Sequence, residues 1–127
     1  MKPVTIHIVS IFPEYFESPL RIGLLGKAVE RGEIIMKVHD LRAFSTLKHQ
    51  QVDDEPYGGG PGMVLRMEPL MASYEHITAG IPREELAVIA FNPSGEPFHQ
   101  KVAQQYATRL TSGELSHIVL YCGRYEG

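Results

Sequence analysis

Two glycine-rich segments hold most of the side chains in this sequence that could do chemistry. The first, VDDEPYGGGPGM, covers residues 52–63 and places Asp53 and Asp54 shortly before three consecutive glycines. Carboxylates accept hydrogen bonds, and glycines let a backbone approach a flat ligand closely. A base edge with two neighbouring donors, such as the N1–H and N2 amine of guanine, would suit Asp53 or Asp54. A surface turn with solvated acids is the alternative for this composition.

The same segment does not match the common phosphate-binding loops. No Gly-Lys-Ser/Thr follows its glycines, as a Walker A loop requires. It also lacks the Gly-x-Gly-x-x-Gly spacing between a strand and a helix that a dinucleotide site uses. A flat ligand therefore stays the functional alternative to a plain turn.

The second segment, CGRYEG, covers residues 122–127. Gly123 and Gly127 would allow close approach of the backbone to a ligand. Arg124 could bind an anion, Tyr125 offers a stacking face, and Glu126 could orient a cation or a substrate amine. A strand-ending turn with Cys122 as a small buried side chain is the alternative. We favour the functional interpretation because arginine, tyrosine and glutamate are costly in such a loop without a role.

The remaining candidates are weaker. NPSG, at residues 92–95, is by itself most typical of a turn. The six histidines do not have the spacing of metal ligands, so no metal site is predicted. Cys122 has no neighbouring histidine in the sequence that would indicate a thiol nucleophile.

Apolar runs and helical patterns alternate along the chain and predict the elements that position these segments. The predicted strands are residues 4–11, 34–38, 86–91 and 117–121. The predicted helices start at or near prolines, at Pro13, Pro19, Glu68–Pro69 and Pro97. Ser18 is a predicted N-cap, Gly32 a predicted helix end, and residues 43–62 a long loop.

This alternation predicts an α/β fold with a mainly parallel sheet and flanking helices. In such sheets, ligands bind beyond the carboxyl ends of the strands. NPSG and CGRYEG follow the third and fourth predicted strands, so we expect a small-molecule site where they leave the sheet. No covering element follows the fourth strand, which suggests a chain cut within its fold.

The composition is that of one globular domain. The 127 residues are 43% hydrophobic and 21% charged, and no run reaches the ~18 apolar residues of a membrane helix. The single cysteine and the absence of a signal-peptide pattern predict a cytoplasmic protein without a membrane partner. A net charge of −3 predicts that a nucleic acid partner needs positive charge from elsewhere.

Four motifs make the chain resemble the bacterial tRNA (guanine-N1)-methyltransferases: IFPEYFE, VDDEPYGGGPGMVL, NPSGEPFHQ and YCGRYEG, in this order. The resemblance covers essentially the whole chain, and the glycine run combined with CGRYEG is highly specific. It implies methylation of the guanosine just 3′ of the anticodon of a tRNA, with S-adenosylmethionine as methyl donor. It also implies the SPOUT class, an α/β fold with a deep trefoil knot that binds the cofactor in an obligate homodimer.

The resemblance further implies roles for individual residues. Cofactor contacts are implied for Phe91, Asn92, Pro93, Gly123, Tyr125, Glu126 and Gly127. Substrate contacts are implied for Asp53, Gly58, Gly59 and Gly60, and Asp54 and Arg124 join them on their chemistry. Asp53 and Glu126 are the catalytic candidates. Glu126 could assist either the methionine amine or magnesium, which is a candidate second cofactor, and no other metal site is expected.

The sequence departs from the family in two motifs. It has Asn92-Pro93-Ser94-Gly95 where the family usually has Ser-Pro-Gln-Gly. The details of the contact with adenosine would therefore differ from those in the family. The residues just before Val52 are less basic than is common, so phosphate contacts there would be weaker.

The family also continues past CGRYEG. A glycine-rich loop there completes the cofactor pocket and closes the knot, and a linker with the proposed general base and a helical tRNA-binding domain follow. We therefore expect residues 1–127 to be a truncated amino-terminal domain that binds S-adenosylmethionine in the parent protein. We expect its knot to be incomplete and the chain alone to be inactive.

Two other interpretations stay open. The chain could be a non-catalytic module that binds a nucleotide or a partner protein, which a stop codon after Gly127 would favour. It could also form a domain-swapped assembly through its uncovered final strand, which a mass above that of a dimer would favour.

Overall fold

The described part of the protein is built on a parallel sheet. The computed structural model describes residues 3–46, 53–54, 64–91 and 95–122, with 53–54 and 64–65 as backbone. The strands, in chain order, are β1 (Val4–Ser10), β2 (Ile34–Asp40), β3 (Asp53–Asp54), β4 (Val64–Leu65), β5 (Leu86–Phe91) and β6 (His117–Cys122). Four of them form the large sheet, in the spatial order β2-β1-β6-β5, and all of its neighbouring pairs are parallel.

The helices lie between these strands. They are α1 (Gly23–Glu30), α2 (Met67–Thr78) and α3 (Gln100–Thr111), with short 3₁₀ turns at Pro13–Phe16, Pro19–Arg21, Leu41–Phe44 and Arg83–Glu85. The predicted α/β alternation is confirmed, and all four predicted strands are present with small differences at their ends. Among the helices that the structure describes, none combines the length and the apolar character needed to cross a membrane.

The predicted start of the first long helix was wrong. Pro19 opens only a 3₁₀ turn, and Ser18 makes no side-chain capping hydrogen bond within the described residues. Ile22 is extended, with φ −121° and ψ 161°, and Gly23 has φ +68°, so the α-helix begins only at Gly23. Similarly, α3 begins at Gln100 rather than at Pro97, because His99 is extended.

Gly32 ends α1 as predicted. It has φ +77°, a conformation that glycine adopts at low cost. Its N–H donates to the carbonyl of Val29 at 3.0 Å, and the N–H of Glu33 donates to the carbonyl of Ala28 at 3.0 Å. These two bonds form a Schellman motif, which satisfies carbonyls at the helix end and turns the chain into β2.

The long predicted loop contains regular structure. The 3₁₀ turn Leu41–Phe44 occupies its beginning, and β3 pairs antiparallel with β4. Asp53 lies opposite Leu65 and Asp54 opposite Val64. The loop prediction is therefore wrong at these residues, because pairing with a partner strand about ten residues later leaves no periodic pattern within one two-residue strand.

The hydrophobic core joins one face of the large sheet to α2. Its buried members are Val9, Ile11, Leu41, Ile77, Leu86 and Val119. Val9 and Val119 lie on the two central strands and are 1% and 0% exposed. Burial of an aliphatic side chain of this size contributes about 1.5–3 kcal/mol. By contrast β5 is an edge strand, and its Val88 and Phe91 are 39% and 46% exposed.

Candidate functional site

The carboxyl edge of the large sheet is formed by the last residues of its four strands, Ser10, Asp40, Phe91 and Cys122. Ser10 pairs with both Asp40 and Cys122, and Cys122 also pairs with Phe91. NPSG and CGRYEG therefore begin at neighbouring positions of one edge, as the sequence predicts. Residues 92–94 and 123–127 themselves lie outside the described part of the chain.

An aromatic row flanks this edge. The ring of Phe91 lies edge-on to that of Phe98, with centroids 6.3 Å apart, and Phe98 stacks on Tyr106 of α3 at 6.4 Å. Phe91 and Phe98 are 46% and 52% exposed, so the row offers an accessible apolar wall beside the edge. Aromatic rings of this kind can stack on a flat heterocycle.

The sequence did not predict that Phe98 and Tyr106 lie beside Phe91. Helical spacing placed Tyr106 on one face of α3, but it did not indicate what that face contacts. Because α3 begins only after the extended residue His99, Phe98 lies ahead of the helix and not on it. Two phenylalanines flanking a turn were the signal that could have suggested the contact.

The polar residues of the edge have structural partners. Ser10 Oγ accepts a hydrogen bond from the N–H of Phe12 at 3.0 Å. Asp40 accepts from Arg42 through its N–H at 3.0 Å, Nε at 3.1 Å and Nη2 at 3.0 Å. This bidentate contact raises the pKa of Arg42. Asp40 and Arg42 thus fix the turn after β2.

Cys122 is a half-buried thiol. Burial raises the pKa of its thiol above the ordinary value, so the reactive thiolate is disfavoured at neutral pH.

Thr46 and Arg66, one on each side of the segment 47–65, both donate hydrogen bonds to Glu68 in the first turn of α2. The Glu68 Oε1 atom accepts from Thr46 Oγ1 at 2.5 Å and from the Thr46 N–H at 3.3 Å. Its Oε2 accepts from Arg66 Nη2 at 3.3 Å. The hydrogen bond from the Thr46 hydroxyl is the main cause that lowers the pKa of Glu68. From the sequence, Glu68 is predicted only as part of a helix start.

The structure places three of the predicted site residues. Phe91 lies at the carboxyl edge, and the backbones of Asp53 and Asp54 form β3. The other predicted site residues lie outside the described ranges: Gly58, Gly59, Gly60, Asn92, Pro93, Gly123, Arg124, Tyr125, Glu126 and Gly127. Their roles stay predictions.

Three histidines form a row across neighbouring strands on the α2 side of the sheet. His7 Nδ1 lies 3.1 Å from His39 Nε2, and His7 Nε2 lies 3.4 Å from His117 Nδ1. The rings are stacked, with centroids 5.3 and 5.6 Å apart. Stacked rings that bond to one another do not converge on a common point. In the parts of the chain that the structure describes, no group of three or more His, Cys, Asp or Glu is arranged to hold a metal ion.

Comparison with known proteins gives one consistent family. The model of the family described as tRNA (guanine-1)-methyltransferase TrmD matches residues 4–127. A tRNA (guanine-N(1)-)-methyltransferase of Frankia alni is 46% identical over 120 residues, which cover 94% of this chain and 43% of that protein. The corresponding protein of Dictyoglomus turgidum is 42% identical over 122 residues, covering 96% of this chain and 46% of that protein.

A solved structure agrees with these relatives. The crystal structure of the tRNA (m1G37) methyltransferase from Aquifex aeolicus has a TM-score of 0.80 and 31% sequence identity to this chain, and the match covers 98% of this chain and 53% of that one. The SPOUT-like α/β fold predicted from the sequence is thereby confirmed. The chain spans about half the length of the curated relatives that it matches. Because the family model matches residues 4–127, this chain belongs to the tRNA (guanine-1)-methyltransferase family.

Proposed function

We propose that this chain is the amino-terminal, cofactor-binding part of an S-adenosylmethionine-dependent enzyme that methylates N1 of the guanosine just 3′ of a tRNA anticodon. The pairing of Phe91 with Cys122 is the observation that carries the proposal, because it brings the starts of both cofactor segments together. Family membership supports the reaction, since the relatives bear the name tRNA (guanine-N(1)-)-methyltransferase.

The described residues at the carboxyl edge fit an adenosine. Phe91 offers a half-exposed ring, and Phe98 continues the apolar wall beside it. The backbone groups of residues 92–95 and 123–127 would supply the polar contacts, with Glu126 orienting the methionine amine or magnesium. S-adenosylmethionine would supply an electrophilic methyl group carried on a sulfonium.

The guanine would be bound by the carboxylates that precede the glycine run. N1 must lose its proton as it gains the methyl group, so the site needs an acceptor at that proton. Asp53 would accept the hydrogen bond from N1–H, and Asp54 would accept from the N2 amine. Gly58, Gly59 and Gly60 would let the backbone approach the base, and Arg124 would contact the substrate as a cation. These contacts accelerate the reaction mainly by positioning the two reactants.

The tRNA requires more positive charge than this chain carries. With 12 Lys and Arg against 15 Asp and Glu, its net charge is −3, whereas phosphate binding needs a basic surface. We place that surface in a carboxy-terminal tRNA-binding domain and in the second subunit of a cytoplasmic homodimer. We also propose that a trefoil knot closes only with residues beyond 127, so that the chain alone does not transfer methyl groups.

The proposal is tested by methyl transfer in the intact protein that carries this chain. Tritiated S-adenosylmethionine is supplied with tRNA transcripts that have guanosine, inosine or adenosine 3′ of the anticodon. We expect N1 methylation of guanosine, slower labelling of inosine, which lacks the N2 amine, and none of adenosine. No labelling of the guanosine transcript would contradict the proposed function.

The role of Asp53 is tested in the same assay. Asp53→Asn keeps one oxygen that can accept the N1–H hydrogen bond but removes the negative charge that favours loss of the N1 proton, so we expect the rate to fall by about 10²–10⁴. Glu30→Gln, at the exposed carboxyl end of α1, is the matched control and leaves the rate unchanged. An Asp53→Asn enzyme as fast as the parent would remove Asp53 from the mechanism.

A further inference from the structure

Glu68 connects two points of the chain that are far apart in sequence. Its carboxylate accepts two hydrogen bonds from Thr46 and one from Arg66. Thr46 directly precedes the segment 47–65, and Arg66 directly follows it. One side chain therefore holds together the entry and the exit of the segment that carries the glycine run.

The small sheet provides a second connection within the same segment. Asp53 lies opposite Leu65 and Asp54 opposite Val64, in an antiparallel ladder. The ladder fixes the two acids relative to β4, which directly precedes Arg66. Arg66 is followed directly by α2, and the hydrogen bonds from Thr46 to Glu68 fix the other end of the segment to the same helix.

Helix α2 is itself held firmly on the sheet. Pro69 and Ile77 are buried, and Ser73 is 0% exposed. Ser73 Oγ also lies 3.1 Å from the hydroxyl of Tyr121, the residue before Cys122 on β6. A short series of contacts thus runs from Thr46 through Glu68 and α2 to the carboxyl edge.

A purely structural role is the alternative. Glu68 lies in the first turn of α2, where a negative charge interacts favourably with the helix dipole. That role would stabilise the helix, but it does not need the hydroxyl of Thr46. Loss of the hydrogen bond from Thr46 Oγ1 therefore separates the two explanations.

We propose that Glu68 is a positioning residue, which holds β3 and its two aspartates at a fixed place relative to the carboxyl edge. This inference rests on the proposed function, because it assigns the guanine to Asp53 and Asp54. Loss of the contact would leave cofactor binding intact and would weaken the productive placement of the guanine. The kinetic signature is a fall in kcat/KM for tRNA without a change in KM for S-adenosylmethionine.

The test uses Glu68→Ala, Glu68→Gln and Thr46→Val in the intact methyltransferase. Glu68→Ala removes all three hydrogen bonds, and we expect kcat/KM for tRNA to fall about tenfold, equivalent to about 1.4 kcal/mol. Glu68→Gln keeps an amide oxygen that can accept from Thr46, so it recovers most of that loss. Thr46→Val removes only the hydroxyl, so it gives a smaller loss of the same kind.

The matched control is Glu114→Ala, which removes an exposed contact of similar type far from the segment. Glu114 Oε2 accepts from Arg109 Nε at 2.9 Å after the end of α3. We expect this variant to keep the parental kinetics. Melting temperatures of all variants identify any loss that comes from unfolding.

The outcomes separate the two levels of the proposal. A parent enzyme that methylates no tRNA contradicts the proposed function itself. An active parent whose Glu68→Ala and Thr46→Val variants match it overturns the positioning role. If Glu68→Ala does not fold, Thr46→Val decides: a lower kcat/KM for tRNA supports the role, and parental kinetics overturn it. A third outcome is that Glu68→Ala lowers kcat/KM for tRNA, Glu68→Gln does not recover it, and Thr46→Val has parental kinetics. Glu68 then acts through the helix dipole, and the positioning role is overturned.

Discussion

At the scale of single residues, the contact between Ser73 and Tyr121 shows how α2 is fixed to the sheet. Ser73 is fully buried, and its Oγ donates to the Leu70 carbonyl at 2.8 Å while lying 3.1 Å from the Tyr121 hydroxyl. Burial is the main cause that raises the pKa of Tyr121, so its hydroxyl stays protonated and needs a partner. A serine within a helix gives no sign in the sequence that it is buried, so this contact could not be predicted.

Removal of the Ser73 hydroxyl should destabilise the protein. In Ser73→Ala the Tyr121 hydroxyl loses a buried partner, so we expect the free energy of unfolding to fall by about 1–3 kcal/mol. Urea denaturation measures the change, with the exposed Ser112→Ala as control. Addition of Tyr121→Phe should recover part of the loss, because no unpaired hydroxyl then remains at this half-buried position. Equal stability of Ser73→Ala and the parent would contradict the coupling of α2 to β6.

At the scale of elements, the histidine row across β2, β1 and β6 makes the sheet sensitive to acid. His7 is 4% exposed, and its pKa is lowered to about 4 by burial, by His39 and His117, and by Lys37. The pKa values of His39 and His117 are lowered as well, again mainly by burial. Of the other groups that act on the row, His76 of α2 and Lys37 oppose protonation, and Glu85 favours it at His117.

The sign of the pH dependence follows from these pKa values. Between the ordinary value of 6.5 and about 4, the unfolded chain binds more protons at His7 than the folded chain does. Stability is therefore complete above pH ~6.5 and falls as the pH decreases towards ~4, by on the order of 2 kcal/mol from His7.

The histidine row is tested by urea denaturation at a series of pH values between ~4.5 and ~7. We expect His7→Gln to reduce the slope of unfolding free energy against pH in this window. His99→Gln, at the exposed start of α3, is the control and keeps the parental slope. An unchanged slope in His7→Gln would show that the row does not couple folding to protonation.

Most of the strands, and the end of the first α-helix, could be predicted from the sequence. The apolar runs identified β1, β2, β5 and β6, and Gly32 marked the end of α1. Alternation along β1 places His7 on the same side as Val9, but contact with His39 and His117 depends on the strand order β2-β1-β6. The starts of α1 and α3 were predicted wrongly, because Ile22 and His99 adopt extended conformations that their residue types do not indicate.

At the scale of the whole molecule, the proposed cofactor site depends on the two segments that begin at the carboxyl edge of the large sheet. The general rule for parallel sheets predicted that NPSG and CGRYEG leave one edge, and the pairing of Phe91 with Cys122 confirms it. The aromatic row with Phe98 and Tyr106 could not be predicted, since the spacing of these residues does not indicate that their rings contact one another. The contact between Thr46 and Glu68 also needed the structure, because it joins residues 22 positions apart.

The most direct test of the account is a calorimetric titration of S-adenosylhomocysteine, the product form of the proposed cofactor. It is titrated into the chain of 127 residues and into a version extended through the glycine-rich segment that follows in the family. We predict binding to the extended version and no heat of binding with the shorter chain. Absence of binding to the extended version would contradict the cofactor site at the carboxyl edge, and binding to the shorter chain would contradict our proposal that residues beyond 127 complete the pocket.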